Sequence, residues 1–408
     1  MMANGSTREF LSQRVRSIKQ SPSNYLTQIA TEMKARGRDI ISFAQGEPDF
    51  PTPEHIKQAA VEAMRKDFTH YTTVDGIAEL KQAVCRKFKR ENGLDYQPGQ
   101  ISVSNGGKQV IYNAFQATLD PGDEVIVPAP YWVSYIDQAI LCDAIPVPVA
   151  CLQEHGFKLQ PEQLERAITP RTRWLMLNSP NNPSGAIYSR SELAALAEVL
   201  LRHPHVWVLT DDMYEHLRYD GAEFATIAQV EPRLYERTLT VNGVSKAYAM
   251  TGWRIGWGAG ATHLIGAMRK LQSQSTTNPN SIAQMASIAA LDGPQDFIAE
   301  RNAIFRQRRD LVVDGLNRIP GLSCPKPEGA FYVYPSCAGW IGKRTPEGKL
   351  LGSDSDVAGY LLESAEVAVV QGDAYGISPN FRISYATSIE QLEEGLRRIQ
   401  RAGERLES

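Results

Sequence analysis

The stretch Leu239-Thr-Val-Asn-Gly-Val-Ser-Lys-Ala-Tyr-Ala-Met-Thr-Gly-Trp-Arg-Ile-Gly256 opens as a short apolar strand, breaks into small residues around one amine, Lys246, and resumes as a second apolar run from Ile255. Similar runs lie upstream at Ile101 to Val103, Glu124 to Val127, Trp174 to Leu177 and Val206 to Leu209. Helix-period stretches such as Gln109 to Leu119 and Ser191 to Leu201 separate several of them. Strands alternating with helices need crossover connections, so the spacing predicts an α/β fold whose mostly parallel sheet is covered on both faces. From about Ala299 the pattern changes to a charged helix (Glu300 to Leu316), strand-like Ala330 to Tyr334, Val367 to Val370 and Phe381 to Ser384, and a closing helix from Ile389. Three parts are expected: an arm at 1–50 that joins a smaller α+β domain at 300–408, and a large domain at 51–299.

With 408 residues, 42% hydrophobic and 22% charged, the chain has the composition of a globular protein with a large core. Its 43 basic and 46 acidic residues leave a net charge of -3, without the basic block that nucleic acid or an anionic membrane surface would require. Small molecules, or a second copy of the chain, are the expected partners. The five cysteines form no C-x-x-C pair, which argues against a disulfide framework and a zinc site. Met1 to Phe10 lacks the apolar core of a secretory signal, so a cytoplasmic location is expected.

Open α/β sheets bind ligands at the carboxyl ends of their strands. There Lys246 sits among small and apolar residues, where burial would lower its pKa and leave a nucleophilic amine near neutral pH. Ser104-Asn-Gly-Gly-Lys-Gln109 follows another strand; its glycines let backbone amides approach an anion, although a Gly-Gly turn without ligand reads equally well. Asn178-Ser-Pro-Asn-Asn-Pro-Ser-Gly185 is a proline-flanked turn that could aim the Asn182 amide. Thr210-Asp-Asp-Met-Tyr214 offers Asp211 as a carboxylate for a pyridine nitrogen, with a helix cap as the plainer reading. Arg254 adds a guanidinium fork suited to phosphate. Gly256, Gly258 and Gly260 have G-x-G-x-G spacing, which is not the dinucleotide fingerprint.

Taken in order, Gly106-Gly-Lys-Gln109, Asn181-Asn-Pro-Ser-Gly185, Asp211 to Glu215, Ser245-Lys-Ala with Thr251-Gly-Trp-Arg254, and Phe381-Arg-Ile-Ser-Tyr-Ala386 resemble the class I aminotransferases of fold type I, on the side of the bacterial aspartate and prephenate enzymes. The resemblance implies a seven-stranded, mostly parallel sheet, pyridoxal 5'-phosphate as cofactor, and transfer of an amino group between an amino acid and a 2-oxo acid. It implies Lys246 as the Schiff-base lysine, Asp211 on the pyridine nitrogen, and Tyr214 and Asn182 on the phenolic oxygen. Trp132 would stack on the ring, while Gly107, Lys108, Ser245 and Arg254 surround the phosphate. Arg382 would hold the substrate α-carboxylate near Gly46, and Lys108 a distal carboxylate. Tyr71 resembles a tyrosine that reaches the phosphate from a neighbouring subunit, which implies a homodimer with shared sites.

One segment departs from that pattern. The family's Lys-Pro-Ser-x-Thr, which lines the side-chain pocket, is here Lys19-Gln-Ser-Pro-Ser-Asn-Tyr25, with Ser23 as the candidate contact. His70, beside Tyr71, is a candidate for extra acid–base work. Lys108 as holder of a distal carboxylate implies an acidic substrate, while these departures fit equally with drift or with a substrate other than aspartate. The cofactor contacts alone leave open elimination, replacement or ring closure on a modified amino acid. A ligand-sensing regulator on the same fold would carry an attached DNA-binding helical module, and the fifty or so residues before the main domain are too few and not basic enough for one.

Overall fold

The computed structural model describes residues 10–18 and 22–407. Its strands, in chain order, are β1 (Ile41–Ser42), β2 (Ile101–Ser104), β3 (Glu124–Ala129), β4 (Ile145–Ala150), β5 (Thr172–Asn178), β6 (Trp207–Asp211), β7 (Thr238–Gly243), β8 (Gly256–Ala259), β9 (Tyr332–Val333), β10 (Val367–Ala368), β11 (Val370–Gln371) and β12 (Phe381–Ser384). The main sheet has seven strands in the order β2-β8-β7-β6-β5-β3-β4. Only β8 runs against its neighbours, pairing antiparallel with both β2 and β7. β5, β6 and β7 are buried nearly along their length because helices cover both faces, the arrangement that removes the polar alternation of a half-exposed strand.

Local signals fix the covering helices. Helix Arg190–Arg202 begins with Ser189, whose hydroxyl accepts from the Glu192 N–H at 3.3 Å while the Glu192 carboxylate takes the Ser189 N–H at 2.7 Å. That reciprocal pair satisfies two N–H groups that the first helical turn leaves open. β4 was not legible in the sequence, since Ile145-Pro-Val-Pro-Val-Ala150 contains two prolines. Its place explains them: it is an edge strand, where a missing N–H costs nothing on the open side. The Ile145 and Cys151 N–H groups donate inward to Asp123 and Ala129, so Pro146 and Pro148 fall on the outward positions.

Residues 300 onward build a core with Ile41 and Phe43 of the early segment, and Tyr214, Leu217 and Tyr219 join it. Helix Ile389–Glu404 buries Leu392, Leu396 and Ile399, one stripe at helical spacing, and Phe43 lies so close to Gly395 that a Cβ there would meet its ring at 2.3 Å. β1 pairs in parallel with β10, and β11-β12-β9 form a small antiparallel sheet in which Val370 faces Arg382. The expected strand Val367 to Val370 is thus two pieces with different partners, and Ala330 to Tyr334 shortens to Tyr332–Val333. The early chain also touches the large sheet's helices, where Arg14 pairs with Asp143 at 3.7 Å.

Candidate active site

β2, β3, β5, β6 and β7 point the same way, and the segments at their carboxyl ends line one cavity of about 430 Å3. β2 leads to Gly107 and Lys108, β3 to Trp132, β5 to Asn182, β6 to Asp211 and Tyr214, and β7 to Ser245 and Lys246. Gly46, Arg254 and Arg382 enter from other segments. Eleven of the residues singled out in the sequence therefore share this wall: Gly46, Gly107, Lys108, Trp132, Asn182, Asp211, Tyr214, Ser245, Lys246, Arg254 and Arg382.

One end of the cavity attracts anions. Helix Gly107–Thr118 starts there, and its first N–H groups have no partners within the helix. Gly106 precedes it at φ +86°, and a Cβ on it would stand 2.3 Å from a guanidinium nitrogen of Arg254. Only glycine permits that approach. Arg254, itself in left-handed backbone at φ +58°, donates to the carbonyls of Thr251 at 2.9 Å and Asn105 at 3.1 Å. The Lys108 amine lies 4.8 Å over the Trp132 ring, and burial together with the Arg254 charge holds its pKa below the ordinary lysine range.

The other end holds a buried carboxylate and the amine. Asp211 accepts from the Tyr135 hydroxyl at 2.8 Å and from the Met213 N–H at 3.3 Å. Burial pushes its carboxyl up, against the pull of Tyr135. A carboxylate has about four acceptor positions, so room remains for one more donor. Its neighbour Asp212 turns away to bond Thr210, and burial raises it to about 7. Lys246 donates to the Gly46 carbonyl at 2.5 Å and lies 5.7 Å over the Tyr214 ring. Burial first, then the Arg382 charge, lower its amine to about 8, with Glu47 pulling the other way.

Arg382 is 2% exposed and spans the upper wall. It donates to the Asn182 side-chain oxygen at 3.0 Å and the Ala44 carbonyl at 2.7 Å, with its guanidinium 4.5 Å over the Tyr332 ring. The Tyr332 hydroxyl meets that of Tyr214 at 2.9 Å, so Tyr332 touches two candidate site residues at once. Sequence reasoning missed Tyr332, Tyr135 and Glu47. Tyr332 sits in the apolar run Ala330 to Tyr334 and reads as core, and Tyr135 has only its three-residue distance from Trp132 as a signal.

Two candidates are not gathered here. His70 and Tyr71 are exposed, Tyr71 to 91%, and neither lines the cavity of its own chain. Ser23 falls in helix Pro22–Ala35, but its side chain, like Lys19 to Ser21, lies outside the described residues. All five cysteines are free thiols. Among the described residues one acidic-histidine cluster, Glu91, Glu215 and His216, has metal-like spacing, but the buried Lys87 amine already bonds Glu215 there.

Residues 38–399 match the family described as aminotransferase class I and II, and the chain belongs to that family. The aspartate/prephenate aminotransferase of Cereibacter sphaeroides is 59% identical over 391 residues, 96% of this chain and 98% of that protein. The crystal structure of the aspartate aminotransferase from Rhizobium meliloti superposes with a TM-score of 0.95 at 57% identity, covering 97% of this chain and 99% of the other. That of Thermus thermophilus, solved with maleate, gives a TM-score of 0.90 at 43% identity over 97% of this chain and all of its own. The protein is a fold type I aminotransferase dependent on pyridoxal 5'-phosphate. The cavity has a counterpart for each part of that cofactor: an anion cradle at Gly107 and Arg254, aromatic walls at Trp132 and Tyr214, a carboxylate at Asp211 and an amine at Lys246.

Proposed function

We propose that this enzyme moves the amino group of an acidic amino acid, aspartate or a close analogue, to a 2-oxo acid such as 2-oxoglutarate. The observation that carries the reading is the shared wall of Lys246, Asp211, Arg382 and Lys108: an amine, a buried carboxylate and two cations at separate places. When bound, pyridoxal phosphate supplies an aldehyde for the substrate amine and a ring that accepts the charge left at Cα. Asp211, held by Tyr135, would pair with the ring nitrogen, and Trp132 and Tyr214 would supply aromatic walls for the ring. Ser245, Gly107 and Arg254 serve the phosphate. Arg382 takes the α-carboxylate through a fork that Asn182 and Ala44 aim and the Tyr332 ring supports. Lys108 takes the distal carboxylate. Lys246, with a pKa of about 8, is the group that removes and returns the proton at Cα.

In this reading the enzyme is a cytoplasmic homodimer with domains at 1–50, 51–299 and 300–408. Tyr71 from a second copy completes the phosphate site, with His70 beside it as an added acid–base group and Ser23 facing the substrate side chain. The maleate with which the Thermus enzyme was solved is a dicarboxylate, which supports an acidic substrate. The test is a panel of amino acids with 2-oxoglutarate, following the visible spectrum and the products. Aspartate should yield one oxo acid per glutamate formed, and glutamate, whose exchange with 2-oxoglutarate gives no net product, should shift the visible spectrum when added without an acceptor. Turnover only with an unusual amino acid, or products formed without an acceptor, would overturn the assignment.

A further inference from the structure

We propose that Gln272 is a positioning residue for phosphate binding in two active sites at once, because its side-chain amide ties the loop that presents Tyr71 to the cradle 104–108 of its own chain. The inference rests on the cofactor reading above, in which that cradle and a second copy's Tyr71 meet the phosphate.

Gln272 lies near the end of helix Thr262–Ser273 and is 0% exposed. Its oxygen accepts from the Ser104 hydroxyl at 2.6 Å and the Asn113 amide at 3.0 Å. Its nitrogen donates to the carbonyls of Val74 at 2.6 Å and Val103 at 3.0 Å. A glutamine amide has two N–H donors and two acceptor positions, so every one is used. Ser104 opens the cradle segment, and Val74 follows Tyr71 by three residues. One planar group therefore sets the distance between them.

Nearby segments of the same chain repeat the arrangement. Gln284, also 0% exposed, accepts from the Ile77 N–H at 2.8 Å and donates to the Thr72 hydroxyl at 3.1 Å. Asp75 pairs with Lys81 at 2.5 Å, and its carbonyl accepts from the Val103 N–H at 2.9 Å. Gln109 accepts from the Asn105 N–H at 2.8 Å and donates to Thr276 at 2.7 Å. Residues 72–77 are thus held from both sides while Tyr71 stands 91% exposed. Plain core cohesion would not need two buried amides with their bonds directed at these two segments. Burying an amide is favourable only when its partners are all in place, which makes such a group a sensitive fixture of geometry.

The test compares pyridoxal 5'-phosphate with phosphate-free pyridoxal, by equilibrium dialysis of the full-length dimer and borohydride trapping at Lys246. Gln272→Glu keeps the shape but sets a carboxylate against the Val74 and Val103 carbonyls. It should weaken the phosphorylated cofactor by about ten- to a hundred-fold, the effect of unpairing one or two buried polar groups, while pyridoxal changes less than about threefold. Equal losses for the two ligands, or no loss, would overturn the proposal. Mixed dimers separate the halves: the wild-type chain paired with a chain carrying both Q272E and K246A reads the Tyr71 loop alone, and Q272E paired with K246A reads the cradle alone. Both must show the loss; an effect in only one refutes action in two sites. Should Q272E fail to fold, Gln284→Met, which removes side-chain hydrogen bonds to Thr72, Ile77 and Pro279 and none to the cradle, must reproduce the loop half, and an unchanged affinity refutes the idea. A wild-type enzyme that traps no adduct would instead sink the underlying cofactor reading.

Discussion

The strand ends and the 70–77 loop hold the side chains proposed for the site in opposite ways. At the strand ends the working groups are enclosed: Asp211 is 7% exposed and bonded to Tyr135, and Lys246 reaches a backbone carbonyl across the cavity. In the loop the backbone is fixed and the working side chain stands in solvent. Enclosure shifts proton affinity, as the lowered Lys246 and raised Asp211 record, whereas an exposed phenol has meaning only against another surface. On the proposed reading, the contrast teaches a division of labour, with the chemistry in one chain and the anion pocket completed by a second copy's Tyr71.

Experiments can break that contrast. The largest effect is expected from Lys246→Ala, which should lower turnover by about 10⁴-fold or more and abolish the borohydride-trapped adduct. Normal turnover would end the account of the enclosed half. Arg382→Ala should reduce kcat/KM by about 10²- to 10³-fold, since it removes a charged donor set that Asn182 and Ala44 hold in place. Steady-state kinetics with aspartate checks it, and most of the loss should fall on substrate affinity. For Tyr332→Phe a fall of about two- to tenfold is expected, the effect of one neutral hydrogen bond to Tyr214, with the ring still beneath Arg382.

A pH series sharpens the same contrast without mutation. Because the enclosed Lys246 has its pKa lowered to about 8, its neutral fraction grows as pH rises through that value. The rate of cofactor capture by the cofactor-free enzyme should climb between about pH 7 and 9 and level off above. A rate rising only near pH 10 would mean an exposed lysine. The smallest effect belongs to the exposed half: His70→Ala should change stability by less than about 0.5 kcal/mol, measured by thermal unfolding.

How much the sequence disclosed follows the same division. Strand-end residues were legible because each stands at a break between an apolar run and a helix, which marked Asp211, Lys246 and Gly107 as candidates; their roles came from the motifs taken together and the family they resemble. β4 was hidden by Pro146 and Pro148, whose meaning depends on a sheet edge that only the assembled fold defines. Tyr332 and Tyr135 were hidden because an aromatic residue in an apolar run has no local mark that it faces a cavity. Gln272 and Gln284 carried still less signal: a glutamine on a helix reads as solvated surface until partners from distant segments are found around it.

The prolines of β4 have a last consequence. A foreign strand arriving at that margin would meet no amide hydrogens at positions 146 and 148, and at the far margin β2 is already capped by Asp75. Neither border of the main sheet presents a full row of free N–H groups for backbone pairing. Joining of main sheets edge to edge, the open-ended stacking that begins fibrous aggregation, is thereby discouraged.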